Sequence, residues 1–161
     1  MLLTHEHCDH MAGLEALRNR WPGVWWRLPP RAAPAWGHPA QHDPEDGGLS
    51  RLPGQAGVSY PPFVCRPADE TYEHAWEYVW RGHRLRAVAL PGHTPGSAGI
   101  FLDGDTFFSG DYLIPGRRSS SACPAGARRT TAPSRSPFSG AAPGLRICPG
   151  HGEPYILTGK E

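Results

Sequence analysis

Thr4-His5-Glu6-His7-Cys8-Asp9-His10 puts four metal-binding side chains, His5, His7, Asp9 and His10, within six residues. Imidazole nitrogen and carboxylate oxygen are the donors zinc takes from proteins, and a catalytic site leaves a coordination position open for water. His5 and His7 stand at i and i+2, so they project from the same side of an extended segment. Asp9 and His10 then open a helix at its base. Three further stretches carry the same donor chemistry: Leu90-Pro91-Gly92-His93-Thr94-Pro95-Gly96-Ser97, Ser109-Gly110-Asp111 and Cys148-Pro149-Gly150-His151-Gly152. His5, His7, Asp9, His10, His93, Asp111 and His151 thus form a candidate ligand set for a pair of ions.

These four motifs, in this order, resemble those of the metallo-β-lactamase fold superfamily. Residues 4 to 10 match its His-x-His-x-Asp-His signature, and residues 90 to 97 resemble its third ligand loop in the form typical of glyoxalase II-like thioesterases and related ester hydrolases. Ser109-Gly110-Asp111 resembles the loop of the bridging carboxylate, and residues 148 to 152 resemble the final histidine loop. Alone, each later loop is weak evidence; the ordered set is specific. The resemblance implies an α/β fold, an αββα sandwich with the ligands on loops at one edge. By the same resemblance His5, His7 and His93 would hold one zinc, Asp9, His10 and His151 the second, with Asp111 bridging. Two ions about 3.5 to 4 Å apart would share a water, give hydroxide near neutral pH and direct it at an ester or thioester carbonyl. Asp9 is the candidate catalytic residue, orienting that nucleophile. Iron or manganese suits the same donors.

Composition narrows the alternatives. The chain has 161 residues, enough for one domain. Its 20 Gly and 19 Pro far exceed the usual combined share of roughly 12 %, so much of it should be turn or irregular structure. A formal net charge of +1 gives no global electrostatic case for nucleic acid or an anionic membrane. No apolar run is long enough to span a bilayer, and the first residues lack the pattern of a secretory signal, which makes a cytoplasmic location the expectation. Cys8, Cys65, Cys123 and Cys148 form no Cys-x-x-Cys pair, so free thiols are expected, with Cys8 pointing away from His7.

Outward from the first motif, Met11, Leu14, Leu17 and Trp21 lie at helical spacing and Pro22-Gly23 supplies a stop, with Asp9 expected at the cap. Val24-Trp25-Trp26 reads as a short strand. Residues 28–62 read as a long loop or insertion; His38 and His42 within it lack partner donors at useful spacing. The regular part is 75–114. There Glu77 to Trp80, the Arg81-Gly82 turn and His83 to Leu90 form one predicted hairpin, with His83 facing solvent; Gly99 to Leu102, the Asp103-Gly104 turn and Asp105 to Phe108 form a second.

Residues 117–144 contain five arginines, no acid and Phe138 as the one large apolar side chain. Such a stretch cannot bury enough area to offset its ordering entropy, and it reads as disordered, either a linker or a frameshifted segment. Only three residues precede Thr4, whereas the family places several strands there. A single partial domain over 1–161, shortened at its N-terminus, is therefore expected. Two functional readings follow. One is a binuclear metallo-hydrolase acting on a small-molecule ester or thioester, such as an acyl-glutathione, or on a lactone or phosphodiester. The other is a non-catalytic remnant that binds metal weakly or serves as an interaction fragment. Tyr112 and Tyr155, close to proposed ligands, are candidates for pocket lining or for packing.

Overall fold

The computed structural model describes residues 1–28, 65–113 and 144–158. The expected loop over 28–62 and the expected disordered segment over 117–144 lie outside the described residues except for Leu28 and Gly144. Two short helices, α1 (Cys8–Met11) and α2 (Leu14–Arg20), are followed by β1 (Arg27–Leu28), β2 (Glu70–Thr71), β3 (Ala75–Trp80), β4 (His83–Ala89), β5 (Ala98–Leu102), β6 (Thr106–Gly110), β7 (Arg146–Pro149) and β8 (Tyr155–Ile156). β1 and β2 pair in parallel, and the other strands form one six-stranded sheet in the order β3-β4-β5-β6-β7-β8. Among the described residues, no helix is long and apolar enough to cross a membrane.

Both predicted hairpins form. Arg81 and Gly82 have φ of 49° and 88°, and Asp103 and Gly104 have 54° and 84°; paired left-handed residues twist a tight turn in the sense that antiparallel strands need. His83 projects into solvent beside the second turn, where its Nδ1 lies 2.8 Å from Asp103 Oδ2. Alternation along β4 sends its side chains to two cores. Leu85 and Ala87 join Tyr72 and Ile100 on one side, and Val88 and Leu90 join Phe107, Leu145 and Ile147 on the other. A Cβ at Gly99 would fall 2.2 Å from Phe107 Cζ, so glycine is required where that ring crosses β5. Full burial of a side chain such as Phe107 contributes roughly 1.5–3 kcal/mol.

The helix departs from its predicted outline. It breaks at Ala12-Gly13, and α2 starts from Gly13 without a side-chain cap; Asp9 lies inside α1 rather than at the start of α2. Of the predicted apolar stripe, Met11 and Leu14 pack with Trp26 and Cys65, while Leu17 and Trp21 remain exposed. The strand predicted at Val24–Trp26 forms instead at Arg27–Leu28. Val24 N is used in the turn to Trp21 O, Trp26 N donates to the Asp69 carboxylate, and Trp26 O accepts from Asp69 N and Glu70 N. Regular pairing can only start one residue later. Cys65 and Cys148 are free thiols; Cys123 and the Cys8 side chain lie outside the described residues.

Candidate metal centre

Strand direction decides where the donors meet. β4 and β5 are antiparallel, β5 and β6 are antiparallel, and β6 and β7 are parallel, so β4, β6 and β7 all point the same way. His93 follows the end of β4, Asp111 follows β6 and His151 follows β7, which brings three donors from distant sequence to one end of the sheet. The first motif is tied to that end by a hydrogen bond from Ala98 N to Thr4 O. A register shift between Phe108 and Gly110 and the positive φ of Gly110, 51°, turn the chain out of β6 just before Asp111. A Cβ at Gly110 would strike Thr4 at 2.6 Å.

The side chains form two groups that share one carboxylate: His5, His7, His93 and Asp111, and His10, Asp111 and His151, with donor atoms inside each group within 4.8 Å of one another. His7 Nδ1 lies 3.1 Å from His5 Nε2 and 2.9 Å from His93 Nε2. Asp111 Oδ2 lies 4.0 Å from His5 Nε2, 3.6 Å from His93 Nε2 and 3.4 Å from His151 Nε2. Its other oxygen, Oδ1, faces His10 Nε2 at 3.4 Å. Four ligand atoms placed tetrahedrally at 2.0–2.1 Å from zinc are about 3.3 Å apart, so these spacings bracket those of a coordination shell. The residues present therefore fit a pair of ions.

Electrostatics agrees with a donor role. Burial, then the neighbouring His10 and His7 rings, push the His5 imidazole down from 6.5 to about 2, against the opposing pull of Asp111. It is neutral at any ordinary pH, the form that binds metal. Burial would raise the Asp111 carboxyl, but the close approach of His10 Nε2 at 3.4 Å and the charges of His5, His10 and His151 outweigh it and hold the group at about 2. Gly150 leaves room for this contact, since a Cβ there would stand 2.2 Å from Asp111 Oδ1 and 2.9 Å from His10 Cε1.

Six of the seven residues singled out in the sequence thus come together. The seventh, Asp9, sits in α1 between His7 and His10, and its side chain lies outside the described residues. His38 and His42 lie outside them as well. Tyr112 and Tyr155 pack against Leu90, Phe107, Leu145 and Ile147, and Tyr112 also closes on Gly92, so packing is the role their contacts display. Two residues escaped the sequence reading. Glu6 and Thr94 join the first motif to the third through a hydrogen bond from Thr94 Oγ1 to Glu6 Oε2 of 2.7 Å. The available signal was an acidic residue between two histidines on the opposite side of the segment.

A sheet that gathers histidines and a shared carboxylate at the ends of its strands defines the class of protein with a candidate metal centre at one sheet edge. The model of the metallo-beta-lactamase superfamily matches residues 1–151, and the chain belongs to that superfamily. It is similar to the probable metallo-hydrolase YqgX of Bacillus subtilis (strain 168), 29 % identical over 117 residues that cover 72 % of this chain and 50 % of that protein. It is also similar to the hydroxyacylglutathione hydrolase of Xanthomonas axonopodis pv. citri (strain 306), 27 % identical over 121 residues that cover 71 % of this chain and 32 % of that one. The chain therefore spans half the length or less of these two relatives. Its fold matches the crystal structure of the BLEG-1 B3 metallo-beta-lactamase with a TM-score of 0.65, over 96 % of this chain and 70 % of that chain at 22 % identity.

Proposed function

We propose that this chain carries a binuclear metal centre that hydrolyses a carboxylic ester or thioester. The observation that carries the reading is Asp111, whose one carboxylate belongs to both donor groups, with Oδ2 within 4.0 Å of His5, His93 and His151 and Oδ1 3.4 Å from His10. In this reading His5, His7 and His93 hold one ion, His10 and His151 with Asp9 hold the other, and Asp111 bridges them. Zinc is the proposed metal, and the same nitrogen and oxygen donors accept iron or manganese. When bound, such a pair supplies Lewis acidity to the carbonyl oxygen and lowers the pKa of a shared water.

The chain's own residues do the rest. Neutral His5 needs no deprotonation before it can ligate. His151 keeps more of its side chain open to solvent than His5, His10 and His93 do, so water and substrate approach from its side. Asp9 is assigned the orientation of the nucleophile. The Gly92 to Ser97 loop and the likeness to a hydroxyacylglutathione hydrolase support a thioester of the acyl-glutathione type as the substrate to try first.

Elemental analysis of the purified protein, with Asp111→Ala in parallel and with chelator-sensitive turnover of an acyl-glutathione thioester, a lactone and a phosphodiester, tests the proposal. About two ions per chain, fewer in the variant, and hydrolysis of the thioester or lactone are expected. Less than one ion per chain, or phosphodiester turnover alone, overturns the reading.

A further inference from the structure

Glu6 stands between His5 and His7 in the sequence, yet its carboxylate reaches a different part of the chain. It accepts hydrogen bonds from Thr94 Oγ1 at 2.7 Å and from Gly96 N at 3.2 Å. Thr94 is the immediate neighbour of His93, and His93 Nε2 lies 2.9 Å from His7 Nδ1. One short segment therefore grips the loop behind His93 through Glu6 while its two histidines meet His93 from the front.

The proton inventory makes the grip directional. Ser97 Oγ accepts from Thr94 N at 2.9 Å. Thr94 Oγ1 gives its one proton to the carboxylate, so the 3.0 Å contact between the two hydroxyls is filled by the Ser97 proton. Thr94 and Ser97 are both buried, where bonds ending on an ionised carboxylate are roughly twice as strong as neutral ones. Pro91, Gly92, Pro95 and Gly96 offer little side-chain packing of their own, which leaves polar contacts to fix the loop.

We propose that Glu6 is a positioning residue: by clamping the Thr94–Ser97 turn it sets where His93 stands against His5 and His7, and so sets the affinity and geometry of that group for its ion. This rests on the reading of the cluster as a metal centre. Removal of groups that orient metal ligands typically costs 10–100-fold in affinity.

The test is Co(II) titration of the metal-free full chain and of Glu6→Ala, Glu6→Gln and Thr94→Val, followed by visible absorption bands and by competition with a chelator. In Glu6→Ala the ion of the His5, His7 and His93 group should bind about 10- to 100-fold more weakly, with shifted, weaker bands. The ion of the His10 and His151 group should keep its affinity within about threefold, which general loosening of the fold would not allow. Glu6→Gln, whose single oxygen can accept from Thr94 or from Gly96 N but not from both, should recover part of the loss, and Thr94→Val should resemble Glu6→Ala even if the latter fails to fold. Wild-type bands and affinities in every soluble variant would overturn the positioning role while leaving the metal centre intact. A wild-type chain that takes up no stoichiometric Co(II) would overturn both.

Discussion

His5 has 1 % of its side chain exposed and packs against the rings of His7, His10 and His93. His151, across the same carboxylate, keeps 26 % exposed. The first group is thus part of the packing that closes the strand ends, with Thr4 tied to β5 and Glu6 tied to the His93 loop. His93 and His10, at 18 % and 17 %, lie between these extremes, so exposure rises from His5 to His151. A centre built this way places rigidity on one side and access on the other, so damage to the two sides should have different consequences.

Asp111→Ala is the severest way to break the comparison, because both groups contain this carboxylate. Expected are loss of the paired ions and hydrolysis below detection, read by elemental analysis and by turnover in parallel. Retention of one ion at wild-type affinity would mean that the His5, His7 and His93 group is complete without Asp111, and that the carboxylate serves the His10 and His151 group alone.

Single histidine deletions sharpen the contrast next. His5→Ala empties a buried position and should lower the melting temperature of the metal-free chain as well as its metal content. A loss of about 2 kcal/mol, in the range of buried large-to-small changes, corresponds to roughly 5 °C or more. His151→Ala should cost one ion but leave the metal-free melting temperature within about 2 °C, as for surface substitutions away from packed features. Equal thermal effects of the two would show that burial does not distinguish the groups.

The same asymmetry governed what could be read from the residues. His5 and His7 were legible because alternation in an extended segment puts i and i+2 on one side, and the two hairpins because Arg81-Gly82 and Asp103-Gly104 have the turn chemistry they need. The convergence of His93, Asp111 and His151 depends on β4, β6 and β7 running the same way. Their order came only from resemblance, since no local pattern encodes strand direction. The displaced β1 was missed because tertiary bonds decided it, those of Asp69 to Trp26 in particular. Glu6 was passed over because its partner lies 88 residues away, a distance at which single-sequence spacing is silent.

Gly150→Ala perturbs the contact between the groups without removing a donor. Its Cβ would need space now filled by Asp111 Oδ1 and His10 Cε1, so the carboxylate must shift away from His10. An affinity loss of about 10-fold, confined to the ion of the His10 and His151 group, is expected by analogy with other displaced ligand shells. Gly23→Ala, which meets nothing within 4 Å, is the matched control. Weakening of both ions alike would mean that Asp111 moves as a unit with the His5, His7 and His93 group.

The mildest test uses pH on the metal-free chain. His5 has a folded-state pKa of about 2 against 6.5 when unperturbed, with burial the main cause, so between those values the unfolded chain binds a proton that the folded chain refuses. Stability from this group is present above about pH 6.5 and is lost as pH falls, at up to about 1.4 kcal/mol per pH unit. Asp111, held at about 2 against 3.8, contributes in the same direction but only below pH 3.8. Melting temperatures should therefore level off above neutrality and fall from pH 6 to 4, with a shallower fall in His5→Ala than in His151→Ala, whichever variant starts lower. Parallel slopes in the two variants would remove buried His5 as the source of the acid sensitivity and with it the electrostatic difference between the two sides of the centre.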